Sequence, residues 1–345
     1  MKERVAVAMS GGVDSSVAAA LLLEAGYDVI GVTMEVYPAP EPATAAGAQQ
    51  VAEALGIPFY HFNLEEAFAR EVVEYFTGAY LQGLTPNPCV VCNPKIKFRA
   101  LAEEARKLGA VYFATGHYVR KGYDPELGRF TLARGKDPKK DQSYVLFGLT
   151  QEQLAGSLFP LGEYQKEEVR ALARKWNLPS AGRAESQEIC FIPDNDYSRF
   201  LEQKRPEAVR PGNIRDLSGK ILGRHRGVAF YTIGQRRGLG IAGETPYYVV
   251  ALRPEECEVI VGKANETYRE ECRVTMVNWV SIPPPRDPLP VAVKIRYTAP
   301  AVPAVLEPAD GEVRVKFEQP QRAVTPGQAA VFYREDLVLG GGFIT

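Results

Sequence analysis

Residues Ser10 to Ser16 read Ser-Gly-Gly-Val-Asp-Ser-Ser, and this stretch constrains the chain more than any other. It lies between an apolar run, Val5 to Met9, that predicts a strand, and an Ala/Leu-rich run, Val17 to Ala25, that predicts a helix stopped by Gly26. Two glycines and three serines let the backbone approach a ligand closely, and the amides of the next helical turn lack intrahelical acceptors. Such a strand-loop-helix turn cradles anions. A tight turn with serine as N-cap would use the same residues, but Asp14 adds a carboxylate able to approach Mg²⁺ beside phosphates. The pattern GxxxxGK[ST] is absent from the chain, so phosphate here would be held by amides and hydroxyls without a loop lysine. That combination points to ATP chemistry of the pyrophosphate-releasing kind.

A chain of 345 residues has room for two or three domains. Its 46% hydrophobic and 24% charged residues are those of an ordinary soluble protein, and a formal charge of −1 gives no global sign of a nucleic-acid partner. No apolar run approaches the length of a membrane span, and the N-terminus lacks the charged-then-apolar pattern of a signal peptide. A cytoplasmic location and no membrane partner are expected. Five cysteines, an odd number in a long chain, argue for thiols with chemistry and against a disulfide framework.

From Lys2 to about Leu108, short strand-like and longer helix-like runs alternate at 4–9, 17–25, 28–34, 44–55, 58–62, 64–81 and 96–108. This predicts an α/β domain with a doubly wound parallel sheet and ligands at the carboxyl ends of its strands. The run from Asp28 to Met34 would lie beside the first strand, with Met34 near an adenine. A strand from Ala110 to Thr115 ends in Gly116-His117-Tyr118, which puts Gly116 at the same sheet edge as the serine-glycine loop. An apparent hairpin (118–120 and 130–134) follows, then a polar stretch, Lys139 to Tyr144. Helical spacing of Val169, Leu172, Ala173 and Trp176 predicts an amphipathic helix within 162–176.

Thr85 to Asn93 reads TPNPCVVCN, and its two prolines predict a stiff, extended loop. Cys89 and Cys92 form the chain's one C-x-x-C. A structural zinc site would need a second such pair, which is absent, and a redox pair of the thioredoxin kind would open a helix. A reactive thiol beside the N-terminus of the next helix remains. Cys190 sits in a short strand-like run, Ile189 to Ile192, stopped by Pro193; its position alone does not separate a core cysteine from a nucleophile. The default for Cys257 and Cys272 is packing.

From about Lys204 the sequence becomes β-rich. Between Lys204 and Arg237 nine basic residues face only Glu207 and Asp216, an excess of seven that suits a phosphate-backbone binder. Gly238 to Gly243 matches GxGxxG, but it runs into a strand and so excludes a dinucleotide site. IPPPRDPLP, 282–290, marks a linker or domain edge. Alternating runs beyond it predict a small β-barrel or sandwich. The expected architecture is therefore α/β plus β: a catalytic domain over 1–205, a central basic β-rich domain over 206–274, and a terminal β-barrel over 275–345.

SGGVDSS also resembles the signature of the PP-loop ATP pyrophosphatases. With TPNPCxxCNxxIKF (85–98), ATGHY (114–118), KDQSY (140–144), SQEICFIP (186–193) and YTIGQRRGLGI (231–241), the ordered set resembles the tRNA-specific 2-thiouridylases over essentially the whole chain. The resemblance implies ATP-dependent replacement of O2 by sulfur on the wobble uridine of tRNAs for Lys, Glu and Gln. It implies ATP binding by Ala8, Met9, Ser10, Gly11, Gly12, Val13, Asp14, Ser15, Met34 and Gly116. Contacts to the target base are implied for Asn87, Pro88 and Cys89, and to the tRNA anticodon stem-loop for Lys140, Asp141, Gln142, Arg296 and Tyr297. Cys92 corresponds to one catalytic cysteine and Cys190 to the persulfide carrier, charged by a sulfur-relay protein or cysteine desulfurase. Many relatives have Asp where this chain has Cys89, so Cys89, Cys92 and Cys190 could instead hold a [4Fe–4S] cluster. Another PP-loop ligase, or a non-catalytic ATP-dependent tRNA-binding protein, are the alternatives.

Overall fold

The structure, a computed structural model, describes residues 2–36, 43–183 and 189–345. Its first sheet is built from β1 (Arg4–Ala8), β2 (Asp28–Glu35), β3 (Phe59–Asn63), β4 (Tyr112–Ala114) and β7 (Ser157–Leu158), all parallel, in the order β3-β2-β1-β4-β7. Val5, Ala6 and Val7 are wholly buried, because helices cover both faces of the sheet; this is why β1 reads as an unbroken apolar run. The chain winds outward from β1 to β3 and then returns to β4. The switch of direction falls between β1 and β4, where a ligand crevice opens at the strands' carboxyl ends.

Helix α1 (Val13–Glu24) follows β1 and is buried on nearly every side, from Val13 through Leu22. Its four-residue core of Val17, Ala18, Ala19 and Ala20 lets the helix lie close to the sheet. Helix α2 (Ala43–Leu55) buries Ala48, Val51 and Ala52 against the same layer.

Two local expectations of the first domain fail in instructive ways. The proline-flanked C-x-x-C does not remain extended: Cys89–Cys92 forms a helical turn that continues through Asn93–Leu101 and Ala102–Lys107. Asn87 Oδ1 accepts from the Cys89 amide at 3.0 Å, and Pro94 falls at the start of a wide segment with i→i+5 bonding, where a missing N–H costs little. Ile189 to Ile192 is a turn, not a strand, closed by Ile192 N–H to Ile189 C=O at 2.8 Å. Its apolar character comes from Phe191 and Ile192 plugging a cluster with Phe68, Phe76 and Phe200. Residues 184–188 of that motif lie outside the described residues.

The central sheet contains β8 (Gly212–Asp216), β9 (Ile221–His225), β10 (Tyr248–Arg253) and β11 (Glu258–Gly262) in the order β10-β11-β8-β9. β12 (Tyr268–Trp279), β13 (Leu289–Lys294), β14 (Val302–Ala309), β15 (Glu312–Arg322), β16 (Ala329–Arg334) and β17 (Leu337–Ile344) run β12-β15-β14-β13-β16-β17, and pairing of β17 with β12 closes them into an antiparallel barrel. Residues 282–288 of the proline-rich run form the loop between β12 and β13, and Leu289 and Pro290 open β13, so the run lies inside the barrel and is not a linker between domains. The hairpin β5 (Val119–Asp124) and β6 (Arg129–Arg134) leaves the first domain to join β17 at Ala133↔Leu337. It ties the two ends of the chain together. Phe332 is fully buried in the barrel core, so Phe332→Ala is expected to cost about 3–5 kcal/mol in urea unfolding.

Candidate functional site

The loop Met9 to Gly12 stands at the switch point between β1 and β4. Met9 turns its side chain into the core and uses its amide to reach Val32 C=O at 2.8 Å. Gly11 takes φ +73°, a conformation that disfavours a side chain. Ser15 Oγ accepts from the Ser10 amide at 3.2 Å, and Ser16 Oγ donates to Gly12 C=O at 2.8 Å, so the serines shape the loop as well as line it. Gly116, just past β4, presses on the backbone of Asp14 and Ser15, where an added Cβ would meet atoms at 2.8 Å. Met34, half-buried, is the last residue but one of β2, at its carboxyl end.

Asp14 is the centre of a network that the sequence did not reveal. Lys166 Nζ donates to both its carboxylate oxygens, at 2.7 and 2.9 Å, and Tyr118 Oη donates to Oδ1 at 2.7 Å. Gln142 Oε1 in turn accepts from the Tyr118 amide at 3.0 Å. Lys166 is only 5% exposed, although it opens helix Lys166–Lys175, whose N-terminal end repels a cation. That mismatch between a lysine and its helix position was the available signal. The carboxylate read from sequence as a Mg²⁺ approach is thus held by a lysine and a tyrosine.

Among the residues expected to meet tRNA, Asp141 accepts from the Gly135 and Ser143 amides and from Ser143 Oγ, so it braces its own loop. Half-buried Arg296 donates to Ala323 C=O and to Thr325 Oγ1. Tyr297 is 40% exposed, stands 5.9 Å from the Tyr144 ring, and has its hydroxyl pKa raised by burial, then by Asp141 and Cys89. Asp141 and Cys89 thus lie near enough to Tyr297 for their charges to act on its hydroxyl, while Pro88 beside Cys89 is buried.

All five cysteines are unbridged, and Cys89, Cys92 and Cys190 lie near enough for their charges to act on one another. Cys92 shares its apolar cluster with Phe191 and Ile192, which carries Cys190 to it across the chain. Burial pushes the Cys92 thiol up to about 12, with smaller upward contributions from Cys190 and Cys89. Cys190 and Cys89 are exposed residues, but protein atoms packed around their sulfurs raise both thiols, and the Lys97 ammonium opposes the rise in all three. Burial and then Lys97 hold His117 well below 6.5, so its imidazole is neutral at pH 7, with Nδ1 2.7 Å from Thr115 Oγ1.

A thiol value raised by folding favours the protonated form. Cys92 therefore adds stability below its ordinary value of 9.0 and loses it as pH rises toward about 12. Iodoacetamide labelling of native Cys92 and Cys190, followed by mass spectrometry, is expected to climb through pH 9 without a plateau near pH 7.

The basic excess of the central region is partly consumed. Arg205 pairs with Glu74, Arg215 with Glu258 and Arg226 with Glu202. Arg210, Lys220, Arg224, Arg236 and Arg237 are exposed and form no ion pair among the described residues. No helix among the described residues is long and apolar enough to cross a membrane.

Residues 3–194 match the family described as tRNA methyl transferase HUP domain, 198–263 its PRC-barrel domain, and 269–344 the aminomethyltransferase beta-barrel domain. The chain is 51% identical to the tRNA-specific 2-thiouridylase MnmA of Carboxydothermus hydrogenoformans, covering 99% of this chain and 98% of that protein. It belongs to the MnmA family. MnmA 1 of Caldanaerobacter subterraneus subsp. tengcongensis is 52% identical over 100% of this chain and 98% of its own length. MnmA of Moorella thermoacetica is 51% identical over 98% of each. The MnmA likeness thus spans the loop, the thiol cleft, the central sheet and the barrel together.

Proposed function

We propose that the protein is an ATP-dependent tRNA sulfurtransferase that converts the wobble uridine of tRNAs for Lys, Glu and Gln to 2-thiouridine. What supports the reading is a glycine-serine loop at the carboxyl end of β1, pressed by Gly116 beyond β4, together with Cys92 in the apolar cluster that also takes in Phe191, the neighbour of Cys190. Relatives over the full length bear the name tRNA-specific 2-thiouridylase.

In this reading ATP occupies the cradle formed by Ala8 to Ser15, Met34 and Gly116. Mg²⁺ would accompany its phosphates and screen their charge. The uridine O2 attacks the α-phosphorus, the bond to the bridging oxygen breaks, and pyrophosphate departs, stabilised by the loop amides. Asn87, Pro88 and Cys89 border the target base, with Tyr297 offering a stacking face; Lys140, Asp141, Gln142 and Arg296 set the loops around the anticodon. The exposed Arg236 and Arg237 give sequence-independent attraction to phosphates.

Cys190, exposed and so open to a partner protein, carries the terminal sulfur of a persulfide delivered by a sulfur-relay protein or cysteine desulfurase. That sulfur, as its anion, attacks C2; the C2–O bond breaks and AMP leaves with the former O2. The Cys92 thiolate then attacks Cys190 Sγ. The Sγ–S bond breaks, sulfur stays on C2 as the thiocarbonyl, and a Cys92–Cys190 disulfide remains for an external thiol to reduce. The thiol protons pass to solvent.

The iron–sulfur alternative requires Cys89, Cys92 and Cys190 to converge on one cluster. As they stand, no three His, Cys, Asp or Glu side chains among the described residues converge closely enough to hold a metal ion.

The test combines purified protein, ATP–Mg²⁺, unmodified tRNA and a persulfide donor, with AMP and 2-thiouridine measured under aerobic and strictly anaerobic conditions. Both products are expected in each. AMP without thiolation would favour another adenylating ligase, tRNA binding without AMP a non-catalytic protein, and thiolation only without oxygen a cluster.

A further inference from the structure

We propose that Arg183 is the cation that grips the pyrophosphate end of ATP, an assignment that rests on the ATP-site reading above. The sequence offers no lysine in the loop, and Lys166 spends its charge on Asp14. Arg183 reaches the loop from the far side. Leu178 and Ala181 pack against Val13, Val17 and Ala18 of α1, and the Arg183 amide donates to Ser180 C=O at 3.0 Å, so the segment is anchored on the helix that the loop initiates. From there Nη1 donates to Gly11 C=O at 3.1 Å.

Two glycines leave the space that the guanidinium fills. A Cβ on Gly11 would stand 2.8 Å from Nη1, and one on Gly47 of α2 would stand 1.9 Å from Nη1 and 2.5 Å from Cζ. The planar group therefore lies directly against the backbone of both the loop and α2. A neutral carbonyl is a poor sole partner for a permanent cation with five N–H donors. Arg183 forms no ion pair among the described residues, which leaves it a charge at the mouth of an anion cradle with donors to spare. Guanidinium and phosphate pair through two parallel hydrogen bonds, and that geometry suits the β and γ phosphates of ATP and the pyrophosphate released from it.

The alternative role is a latch that merely holds the loop in shape. Calorimetric titration of the full chain with ATP, pyrophosphate and AMP separates the two, using wild type, Arg183→Met and Arg183→Lys. Loss of a charge-assisted phosphate contact should weaken ATP and pyrophosphate about 10- to 100-fold in Arg183→Met. AMP, which lacks those phosphates, should stay within about 2-fold, and Arg183→Lys should recover part of the pyrophosphate affinity. Wild-type affinity for ATP and pyrophosphate in Arg183→Met overturns the assignment. So does an equal loss for AMP, which is the latch's signature. If wild type itself binds none of the three, the ATP-site reading fails first and takes this assignment with it.

Discussion

Cys190→Ser is expected to abolish 2-thiouridine formation, by about 1000-fold or more, because a serine hydroxyl cannot carry a transferable sulfur. The expectation has a second half that makes it specific. Cys190 belongs to a turn behind Phe191 and Ile192, whereas the nucleotide cradle is built from β1, α1 and the end of β4. Loss of the thiol therefore leaves the cradle's hydrogen bonds in place, and tRNA-dependent AMP formation should persist while thiolation disappears. Cys92→Ser should show the same split, since its thiol acts after the adenylate is consumed. Radiolabelled ATP and chromatographic analysis of digested tRNA measure both halves on one sample. Full thiolation by Cys190→Ser would eliminate the persulfide route. Loss of AMP formation in both variants, with folding intact, would show instead that sulfur loading precedes and gates adenylation.

Gly116→Ala carries the second large effect, and it acts from the opposite side of the cleft. A single added methyl would meet the Asp14 carbonyl carbon and the Ser15 nitrogen at 2.8 Å, and neither can move without displacing the first turn of α1. The amides of that turn are the phosphate donors of the proposed site. A shift near 1 Å in reacting groups costs about 100-fold in rate, so adenylation should fall by that order. The fold should survive, because Gly116 is at a sheet edge and not within the wholly buried layer of Val5, Ala6 and Val7. Normal circular dichroism with a rise in ATP KM and a drop in kcat is the expected result. An unchanged KM and kcat would mean that the loop yields, and that its shape is not what holds ATP.

Much of this was visible in the chain before any folding. Val5 to Met9 reads as a buried strand and Val17 to Ala25 as its helix because period and turn chemistry are carried by neighbours in sequence. The GxGxxG at Gly238 to Gly243 could be set aside for the same reason, and it does lead into β10. Local patterns misled where an apolar or proline-rich stretch had two uses. Ile189 to Ile192 is apolar because a turn plugs a core, and Pro94 breaks no helix because it sits where the bonding widens.

The sequence by itself determined the α/β and β elements and the glycine-serine loop between a strand and a helix, all of which rest on residues within one or two turns of each other. Only the tertiary structure decided what those residues face. Asp14 and Lys166 lie 152 positions apart, and Arg120 reaches Asp336 across 216, to brace the hairpin against the barrel. Phe191, the neighbour of Cys190, packs into the cluster that holds Cys92, and three arginines of the basic stretch are spent on acids elsewhere in the fold. No periodicity encodes such pairings, because the interactions that fix them are between surfaces that folding alone brings together. The loop's chemistry was therefore legible, and its cations were not.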